Sequence, residues 1–492
     1  MAPRSQKRPT VTANTAILTG YTVFETVVVF LFTVVVARYL GTQEFGRLGF
    51  ALSYALLFSV LSDPGISIAM TKLVATSDPD RQSRFVANGL ALRLVLSAAV
   101  FLVSLVPFAF SPYMRQIFGL VLVIVVSELL RNLAIFLCFV FRGHQQNKYE
   151  AISMGVERVG SLVAGWILLH MGFRTFTVAL VYLGARLASL LVAIAIYRSR
   201  FDWTAPHFDR GVLESIRLQT YPLAVLVICE RANMYLPPIL VTWFAGELAT
   251  GIFQAAFKAV MPAVLLCTAV AASLYAPMAA RFAIDPAESA RLYRSGTRGL
   301  LHLLLPSAVL TLLLPRQIVL LLYGPEYLAA APVLQLLTPY FVSIVFVAVN
   351  HLFLPAIEHQ RVVGAVSIFS VALNVGLGLV LIEHWGATGA AWALTVAQVV
   401  VAAVYAGMAH RFGAASLSWK EWRTIAAAFA GALAAVALAR PVLSDHALPA
   451  LVVAGACAGV AYFGIMAFLG GISNEERNVL RLLTRRLFPR AA

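Results

Sequence analysis

About fourteen apolar segments, each close to 20 residues long, divide the sequence from end to end, and about 20 apolar residues are what a helix needs to cross a bilayer. Of the 492 residues, 61% are hydrophobic and 12% are charged, with a mean hydropathy of +0.85. Soluble domains are about 45–50% apolar and about 25% charged, so lipid must be the solvent of this chain. The segments are continuous rather than alternating, which favours helices over a barrel.

The sequence therefore predicts an all-α polytopic membrane protein. The predicted helices are centred near Glu25, Leu57, Val100, Leu129, Leu162, Arg186, Cys229, Leu266, Leu304, Val345, Asn374, Val399, Leu433 and Gly459.

Basic residues fall mainly on one side of these helices. Placing the N-terminus in the cytoplasm puts 25 of the 37 Lys and Arg residues in cytoplasmic loops and tails, against six in external loops. Cytoplasmic loops of membrane proteins carry such an excess, so we expect both termini in the cytoplasm. Topology accounts for most of the net charge of +15, and nucleic-acid binding is a poor explanation of it.

Two short motifs recur at nearly constant spacing. Gly41-Thr-Gln-Glu-Phe-Gly46 matches Gly246-Glu-Leu-Ala-Thr-Gly251 at an offset of 205 residues, and His170-Met-Gly172 matches His384-Trp-Gly386 at an offset of 214. We interpret the first motif as a tight turn between two membrane helices. Parallel repeats relate two halves of a transporter about an axis along the membrane normal, with the site at their interface.

The repeat predicts three parts of the chain. A first lobe of six helices covers residues 1–210, a second lobe of six covers 211–412, and two further helices with a basic tail cover 413–492. In the tail, Ser473 and Glu476 match a helix capping box, and the residues that follow suit a helix lying on an anionic inner leaflet. A solvated basic tail is the alternative.

Charged residues lie inside the predicted helices, although a charge at the bilayer centre costs about 2.5–3.5 kcal/mol on insertion scales. The basic ones are Arg93, Arg131, Arg158, Arg186, Arg231 and Lys258, and the acidic ones are Glu25, Asp63, Glu128, Glu157 and Glu230. All belong to the first eight helices, whereas the later helices offer neutral polar groups such as Asn350 and Asn374. Intramembrane charges mark substrate or ion paths, so the chain is interpreted as a transporter.

The basic residues allow two interpretations. A guanidinium matches phosphate oxygens bidentately and an ammonium acts as a point charge, so the candidate binding residues for an anionic substrate are Arg231, Lys258, Arg131, Arg158 and Arg186. Alternatively, each base pairs with a nearby acid; Glu128 and Arg131 are three residues apart and can meet on one helix face. Arg93 lies near the cytoplasmic end of its helix and is expected to snorkel.

The carboxylates are equally open to two interpretations. Glu25, Asp63 and Glu230 are candidates for coupling a proton or sodium gradient, or they are counter-charges for the arginines. Asp63-Pro64-Gly65 interrupts the second helix and predicts a hinge or site wall, because broken backbone at membrane depth needs protein or water around it. Asn350 and Asn374 are candidate polar residues of a cavity.

Motifs of soluble enzymes are missing from the sequence. The glycines at Gly41 and Gly46 are followed by Arg47 and Leu48 rather than the Lys and Ser/Thr of a phosphate-binding loop. There is no His-Glu-x-x-His metal motif and no Gly-x-Ser-x-Gly elbow. We therefore predict no enzymatic activity, no catalytic residue, no metal site and no cofactor.

Several stretches match a family pattern in their order and spacing. The first is Ala37-Arg-Tyr-Leu-Gly-Thr-Gln-Glu-Phe-Gly-Arg-Leu-Gly49, followed by Leu61-Ser-Asp-Pro-Gly-Ile-Ser67. Two more, in the second lobe, are Leu322-Tyr-Gly-Pro-Glu-Tyr327 and Trp385-Gly-Ala-Thr-Gly-Ala-Ala391. Together they resemble oligosaccharide flippases and polysaccharide transporters of the multidrug/oligosaccharidyl-lipid/polysaccharide (MOP) exporter superfamily, and the resemblance covers nearly the whole chain.

The resemblance implies two six-helix lobes around a central cavity, a fold shared with multidrug and toxin extrusion (MATE) transporters. It implies flipping of a polyprenyl-pyrophosphate-linked oligosaccharide from the inner to the outer leaflet of the cytoplasmic membrane by alternating access, for surface polysaccharide biosynthesis. Arg231 and Lys258 fall on helices where the family places cavity charges. The implied partners are the lipid-linked glycan, membrane lipids and other polysaccharide-assembly proteins.

Two alternatives remain at this stage. A drug or organic-cation antiporter of the same superfamily would want a net acidic interior, and six bases against five acids disfavour it slightly. A membrane glycosyltransferase or polymerase would need a large external catalytic loop, which the longest gap, near residues 197–217, is too short to supply.

Overall fold

The structure is a computed structural model that describes residues 11–282, 284–413, 417–440 and 447–471. Within these ranges it contains fifteen α-helices, two short 3₁₀ segments (Val60–Ser62 and Pro325–Tyr327) and no strand. The helices are α1 (Val11–Ser59), α2 (Ile66–Thr76), α3 (Pro79–Phe110), α4 (Pro112–Gln116), α5 (Phe118–Gly143), α6 (Asn147–His170), α7 (Thr175–Arg200), α8 (Arg210–Phe282), α9 (Pro286–Leu313), α10 (Pro315–Leu322), α11 (Ala330–Leu336), α12 (Thr338–Ala356), α13 (Gln360–Arg411), α14 (Trp419–Ala439) and α15 (Ala447–Phe468). The predicted capping box of the C-terminal tail lies outside the described residues.

Eleven helical stretches of the described chain are long and apolar enough to cross a membrane, by length and composition. Three of them, in α1, α8 and α13, each contain one glycine with a non-helical backbone: Gly41, Gly246 and Gly386. Each of these three helical stretches consists of two apolar segments joined at its glycine. When the two segments are counted separately, the eleven stretches give about fourteen crossings. Every predicted helix centre lies inside a helix, and the prediction of an all-α multi-pass membrane protein is confirmed.

The two motifs at the start of the repeat adopt the same local structure. Gly41 has φ 75° and ψ 173°, and Gly246 has φ 81° and ψ 179°. Positive φ is open to glycine at no steric cost, whereas other residues avoid it. The turn predicted at the first motif is therefore present, and a second turn with the same torsions occurs 205 residues later.

The helices that follow these turns touch through glycine in a reciprocal manner. A Cβ atom at Gly46 would lie 1.9 Å from the carbonyl oxygen of Glu247, and a Cβ atom at Gly251 would lie 1.9 Å from the carbonyl oxygen of Thr42. Thr42 and Glu247 occupy equivalent positions of the repeat, as do the two glycines, so the same contact is made twice with the roles exchanged. This exchange supports a pseudo-twofold relation between the repeats at this point.

Replacing Gly251 with alanine should destabilise the protein strongly, because the added methyl group would meet a backbone oxygen that cannot rotate away. Overpacking of a buried contact typically costs about 1–3 kcal/mol, and we expect the upper end of that range. Gly184→Ala is the matched control, since a Cβ atom there has nothing within 4 Å. Thermal unfolding in detergent should show a lowered Tm for Gly251→Ala alone; equal Tm values would contradict the close crossing.

The second crossing is broken where the sequence predicts it. α1 ends at Ser59 and is followed by the 3₁₀ segment Val60–Ser62. Gly65 then adopts a φ of 100°, and α2 begins at the next residue, Ile66. Asp63 replaces the missing backbone bonds at the start of α2: its Oδ1 accepts from the Ser67 amide at 3.0 Å and its Oδ2 from the Ser67 hydroxyl at 2.6 Å. The interruption is thus an ordered helix start rather than a loose loop.

An apolar core fixes α2 beside α5. Met70 and Val74 of α2 are fully buried in a cluster with Phe136 and Phe141 of α5. Thr71 adds a hydrogen bond of 3.0 Å to the carbonyl of Phe139. Between membrane helices such a contact is stabilised by close van der Waals packing and by hydrogen bonds. The broken crossing is thereby held against the C-terminal half of α5, beyond the turns that carry Glu128 and Arg131.

The chain divides into two compact units. One contains Met1–Lys258 with Gly364–Ala397, and the other contains Ala259–Val363 with Gln398–Ala492. These units are defined by contacts between helices, whereas the predicted lobes were defined by the repeat, so the division at residues 210 and 412 stays a prediction.

The second unit has its own polar contacts. Glu421 at the start of α14 binds Arg294 and also lies 3.0 Å from Nη1 of Arg298, both on α9. Deeper in the unit, Nδ1 of His302 lies 2.8 Å from the Tyr462 hydroxyl of α15. These bonds join α9 to the last two helices.

Candidate functional site

Six charged side chains from four helices meet in the first unit. We call them the ion cluster; its members are Glu25 of α1, Glu128 and Arg131 of α5, Glu157 and Arg158 of α6, and Arg186 of α7. Three carboxylates face three guanidiniums, so the formal charge of the cluster is zero. Pairing of this kind is what makes charges tolerable at membrane depth.

Two arginines of the ion cluster are held closely. Arg158 lies 2.6 Å from Glu25 and 3.0 Å from Glu157. Arg186 lies 2.5 Å from Glu128 and 3.6 Å from Glu157, and it also donates to the Ser127 hydroxyl at 2.6 Å. Both guanidiniums are therefore engaged with carboxylates of the protein itself.

Arg131 is held more loosely than the other two. Its Nε lies 3.3 Å from Glu157 without hydrogen-bond geometry, and its nearest nitrogen lies 3.9 Å from Glu128. Its side chain is 20% exposed, against 0% for Glu157. Because a charge-assisted hydrogen bond to nitrogen is normally about 2.7–2.9 Å long, Arg131 is the member of the ion cluster most available to a ligand.

Arg131 lines a cavity of about 120 Å³ together with Arg231. The other lining residues are Leu56, Ser59, Val60, Asp63, Gly65, Ser67, Ile68, Asn132, Ile135, Phe139 and Val227. The cavity thus lies against the broken second crossing, between α5 and α8. Its polar lining offers two guanidiniums, one carboxylate, one amide and two hydroxyl groups.

Arg231 reaches this cavity without a carboxylate partner. Its guanidinium donates to the Tyr235 hydroxyl at 3.2 Å and lies 6.0 Å from the centre of the same ring. Within the described ranges no carboxylate oxygen lies within 4 Å of it. Its guanidinium is therefore not held in an ion pair of the described residues, and the residue lines the cavity.

The carboxylate of the cavity, Asp63, is already neutralised. Arg93 of α3 lies 2.6 Å from Asp63 Oδ2, and its side chain is 0% exposed. Arg93 also donates to the carbonyl of Asn132, whose amide in turn donates 3.0 Å to Ser59 O. The prediction that Arg93 snorkels is wrong, because its side chain is fully buried and pairs with the carboxylate at the helix break. With Asp63 paired, the cavity keeps a net positive charge.

The remaining predicted binding residues lie elsewhere. Lys258 is not part of the cavity lining; its Nζ lies 5.1 Å from the centre of the Phe45 ring. Arg158 and Arg186 stay in the ion cluster behind Arg131. The structure therefore brings together two of the five predicted binding residues, Arg131 and Arg231, at one cavity.

The predicted coupling residues occupy three different settings. Glu25 accepts two bonds from Arg158, at 2.6 and 3.0 Å. Asp63 pairs with Arg93 as described, and Glu230 is exposed and outside the cavity lining. Only Glu25 thus belongs to the ion cluster, and Asp63 has a structural role at the helix break.

The predicted polar residues are buried and bonded within their own units. The Asn374 amide donates to Asn233 Oδ1 at 3.4 Å, and Asn233 donates to the Ser370 hydroxyl at 3.2 Å. Asn350, in the second unit, donates to the Tyr293 hydroxyl at 3.0 Å and to a backbone carbonyl. Neither Asn350 nor Asn374 lines the cavity beside Arg131.

Sequence reasoning missed Asn132, whose side chain lines the cavity beside Arg131. It also missed a second group of charged residues, which lies near the turns at Gly41 and Gly246. There Arg47 lies 2.7 Å from both Glu44 and Glu247. Tyr113 donates to Glu247 at 2.9 Å; burial, and next the charge of Glu247, raises the pKa of Tyr113, so its hydroxyl keeps the proton that it donates. The spacing of Glu44 and Arg47, three residues apart on one helix, was the available signal.

This second group lines a larger cavity of about 470 Å³, together with Arg174, Thr175 and Phe176. Its lining holds two arginines, Arg47 and Arg174, and two carboxylates, Glu44 and Glu247, so its formal charges balance. It is therefore a weaker candidate for an anion than the cavity beside Arg131.

Comparison with known families identifies the chain. Residues 11–282, more than half of the sequence, match the family described as "Polysaccharide biosynthesis protein". The chain belongs to this family. None of the curated proteins with which the sequence was compared matches it.

Solved structures show the fold of this polysaccharide biosynthesis protein. A lipid II flippase MurJ in an inward closed conformation superposes with a TM-score of 0.74 at 13% identity, covering 92% of this chain and 98% of the flippase. An inward-facing multidrug resistance MATE transporter of the MOP superfamily gives 0.65 at 14% identity, covering 79% and 94%. The chain thus shares its fold with a flippase and a MATE transporter, as the sequence resemblance predicted.

A third solved structure is also similar in fold. A MOP superfamily transporter from Pyrococcus furiosus gives a TM-score of 0.51 at 15% identity, covering 81% of this chain and 92% of its own, and its binding pocket is described as having reverse polarity that suggests a different function.

Proposed function

We propose that this protein flips a polyprenyl-pyrophosphate-linked oligosaccharide from the inner to the outer leaflet of the cytoplasmic membrane, by alternating access, for surface polysaccharide biosynthesis. The observation that carries the proposal is the cavity that Arg131 and Arg231 share in a member of the polysaccharide biosynthesis family. Two guanidiniums beside one already neutralised carboxylate suit a diphosphate, which guanidinium groups bind bidentately.

The size of the cavity indicates which part of the substrate it would hold. A volume of about 120 Å³ has room for several water molecules. That is the scale of a diphosphate group rather than of an oligosaccharide. The sugars and the polyprenyl chain would therefore lie outside this cavity, and the cavity would recognise the part that such lipid-linked glycans share.

The positive-inside pattern supports loading from the cytoplasmic leaflet. With both termini in the cytoplasm, the second crossing runs from the external turn at Gly41 to the cytoplasmic end of α2 at Thr76. Asp63 and the cavity beside it then lie past the middle of that crossing, on the cytoplasmic side. This is where a substrate synthesised in the cytoplasm would first meet a positive site.

A drug or organic-cation antiporter is the second candidate function, supported by the MATE fold neighbour. The charge of the cavity argues against it, because Arg131 and Arg231 would repel a cation.

Binding to the purified full chain in nanodiscs separates the two functions. We expect farnesyl pyrophosphate to bind and the cationic dye ethidium not to bind, measured by isothermal titration calorimetry and by dye fluorescence. Farnesol, which has the same tail without the charge, is the matched control and should bind far more weakly. Saturable ethidium binding without pyrophosphate binding would contradict the flippase proposal and favour the antiporter.

A further inference from the structure

The charge balance of the ion cluster makes it sensitive to whatever binds Arg131. The cluster is neutral only while all three arginines face the three carboxylates. Arg158 and Arg186 make contacts of 2.6 and 2.5 Å, whereas the contacts of Arg131 are 3.3 and 3.9 Å. An anion in the cavity would therefore draw Arg131 away from the cluster before either of the other two.

Withdrawal of Arg131 would leave three carboxylates against two guanidiniums, with Glu128 and Glu157 buried and Glu25 30% exposed. An isolated buried charge is disfavoured so strongly that a group usually neutralises instead. The cluster would then need one compensating positive charge. A cation of the solution has to supply it, because Arg158 and Arg186 are already shared among the same carboxylates.

Glu157 is the carboxylate nearest to Arg131, at 3.3 Å against 3.9 Å for Glu128, so it loses the closer contact when Arg131 is withdrawn. It also contacts Arg158 and Arg186. Its side chain is 0% exposed, and its Oε2, like both carboxylate oxygens of Glu128, has no hydrogen-bond partner among the described residues. A proton on this oxygen would neutralise the cluster without displacing either remaining arginine.

Every helix packed around Glu157 contributes groups to its electrostatic surroundings. The charged and titratable groups that face it are Tyr21 and Glu25 of α1, Glu128, Arg131 and Cys138 of α5, Arg158 of its own helix, and Tyr182 and Arg186 of α7. Apart from Arg131, each lies behind the cavity rather than in its lining. Of these groups, Arg131 is thus the one that a ligand in the cavity would touch directly.

A proton fits this position better than a metal ion. Guanidinium groups already occupy the space between the carboxylates. In the described part of the chain no group of three or more His, Cys, Asp or Glu side chains could hold a metal ion.

We propose that the ion cluster is a proton-binding site linked to the anion site: an anionic headgroup that takes Arg131 causes Glu157 to bind one proton, so that anion and proton bind together. This inference rests on the proposed anion site beside Arg131. Linkage is reciprocal, so a lower pH strengthens anion binding, by up to about tenfold per pH unit for one linked proton. The proton enters as a ligand and no covalent bond other than O–H is formed.

The test is calorimetry of the full chain in nanodiscs with methanedisulfonate, a divalent anion that does not titrate near neutral pH. Binding enthalpies measured in two buffers with different ionisation enthalpies give the number of protons taken up. We expect about one proton per anion. Anion binding with no proton uptake would overturn the linkage and leave the proposed function intact, whereas no binding of methanedisulfonate or farnesyl pyrophosphate would overturn the anion site itself.

A variant locates the proton. Glu157→Gln should still bind methanedisulfonate, with no proton uptake and with an affinity that does not fall as pH rises from 6 to 8. Glu230→Gln, at an exposed position outside the cavity lining, should keep the proton uptake of the natural protein. Unchanged uptake in Glu157→Gln would overturn the assignment to Glu157, and the measurement on the natural protein tests the linkage even if that variant fails to fold.

Discussion

Replacing Arg231 with alanine is expected to weaken binding of farnesyl pyrophosphate by about 10- to 100-fold, because hydrogen bonds to charged groups contribute about 1.5–3 kcal/mol. Arg231 has no carboxylate partner within 4 Å among the described residues, so its removal leaves no buried charge behind and the protein should still fold. Arg131→Ala should have a similar effect on binding. Calorimetry in nanodiscs measures the affinity, and complementation of surface polysaccharide in cells measures transport.

Two further variants make this result specific. Arg231→Lys keeps the charge but loses the bidentate fork, so we expect it to recover only part of the affinity. Lys258→Ala is the matched control, because Lys258 lies beside the Phe45 ring and not in the cavity lining. Equal losses from Lys258→Ala and Arg231→Ala would show that binding depends on general positive charge rather than on the cavity.

Replacing Asp63 with alanine is expected to lower the free energy of unfolding by about 3–5 kcal/mol, the usual cost of leaving a buried charge without its partner. Arg93 is 0% exposed and lies 2.6 Å from Asp63, so its charge would be stranded beside the helix break. The variant would also lose the two bonds to Ser67 that start α2. Thermal or denaturant unfolding in detergent measures the effect.

The double variant Asp63→Ala with Arg93→Met separates charge from shape. Removing both charges should restore a large part of the lost stability, since buried ion pairs replaced by apolar residues are often neutral in stability. Glu214→Ala breaks an exposed pair with Arg217 and should change stability by no more than about 0.5 kcal/mol. If the double variant is less stable than Asp63→Ala alone, Arg93 stabilises the protein by packing rather than through its charge.

The helices and their interruptions could be predicted from the sequence because their causes are local. Bilayer thickness sets the length of an apolar helix, and fourteen predicted centres all fall in helices. Gly41 was interpreted as a turn from its motif, and its φ of 75° agrees. Asp63-Pro64-Gly65 was predicted as a break, and Gly65 has φ 100°.

The partners of the charges could not be predicted because they come from different helices. Spacing along one helix paired Glu128 with Arg131, but that contact is 3.9 Å long, whereas Glu128 lies 2.5 Å from Arg186 of another helix. Arg93 was expected to reach water for the same reason: its partner, Asp63, is 30 residues away in sequence. The sequence shows which residues carry a charge inside the membrane helices. Only the packing of α1, α5, α6 and α7 shows which of these charges remains available to a ligand.

The most direct test of the central claim is a cryo-EM structure of the full chain in nanodiscs with a polyprenyl pyrophosphate. We predict density for the diphosphate within hydrogen-bonding distance of both Arg131 and Arg231, beside Asn132 and the break at Asp63. A diphosphate bound instead at Lys258, or one that leaves both arginines in their present contacts, would contradict the account.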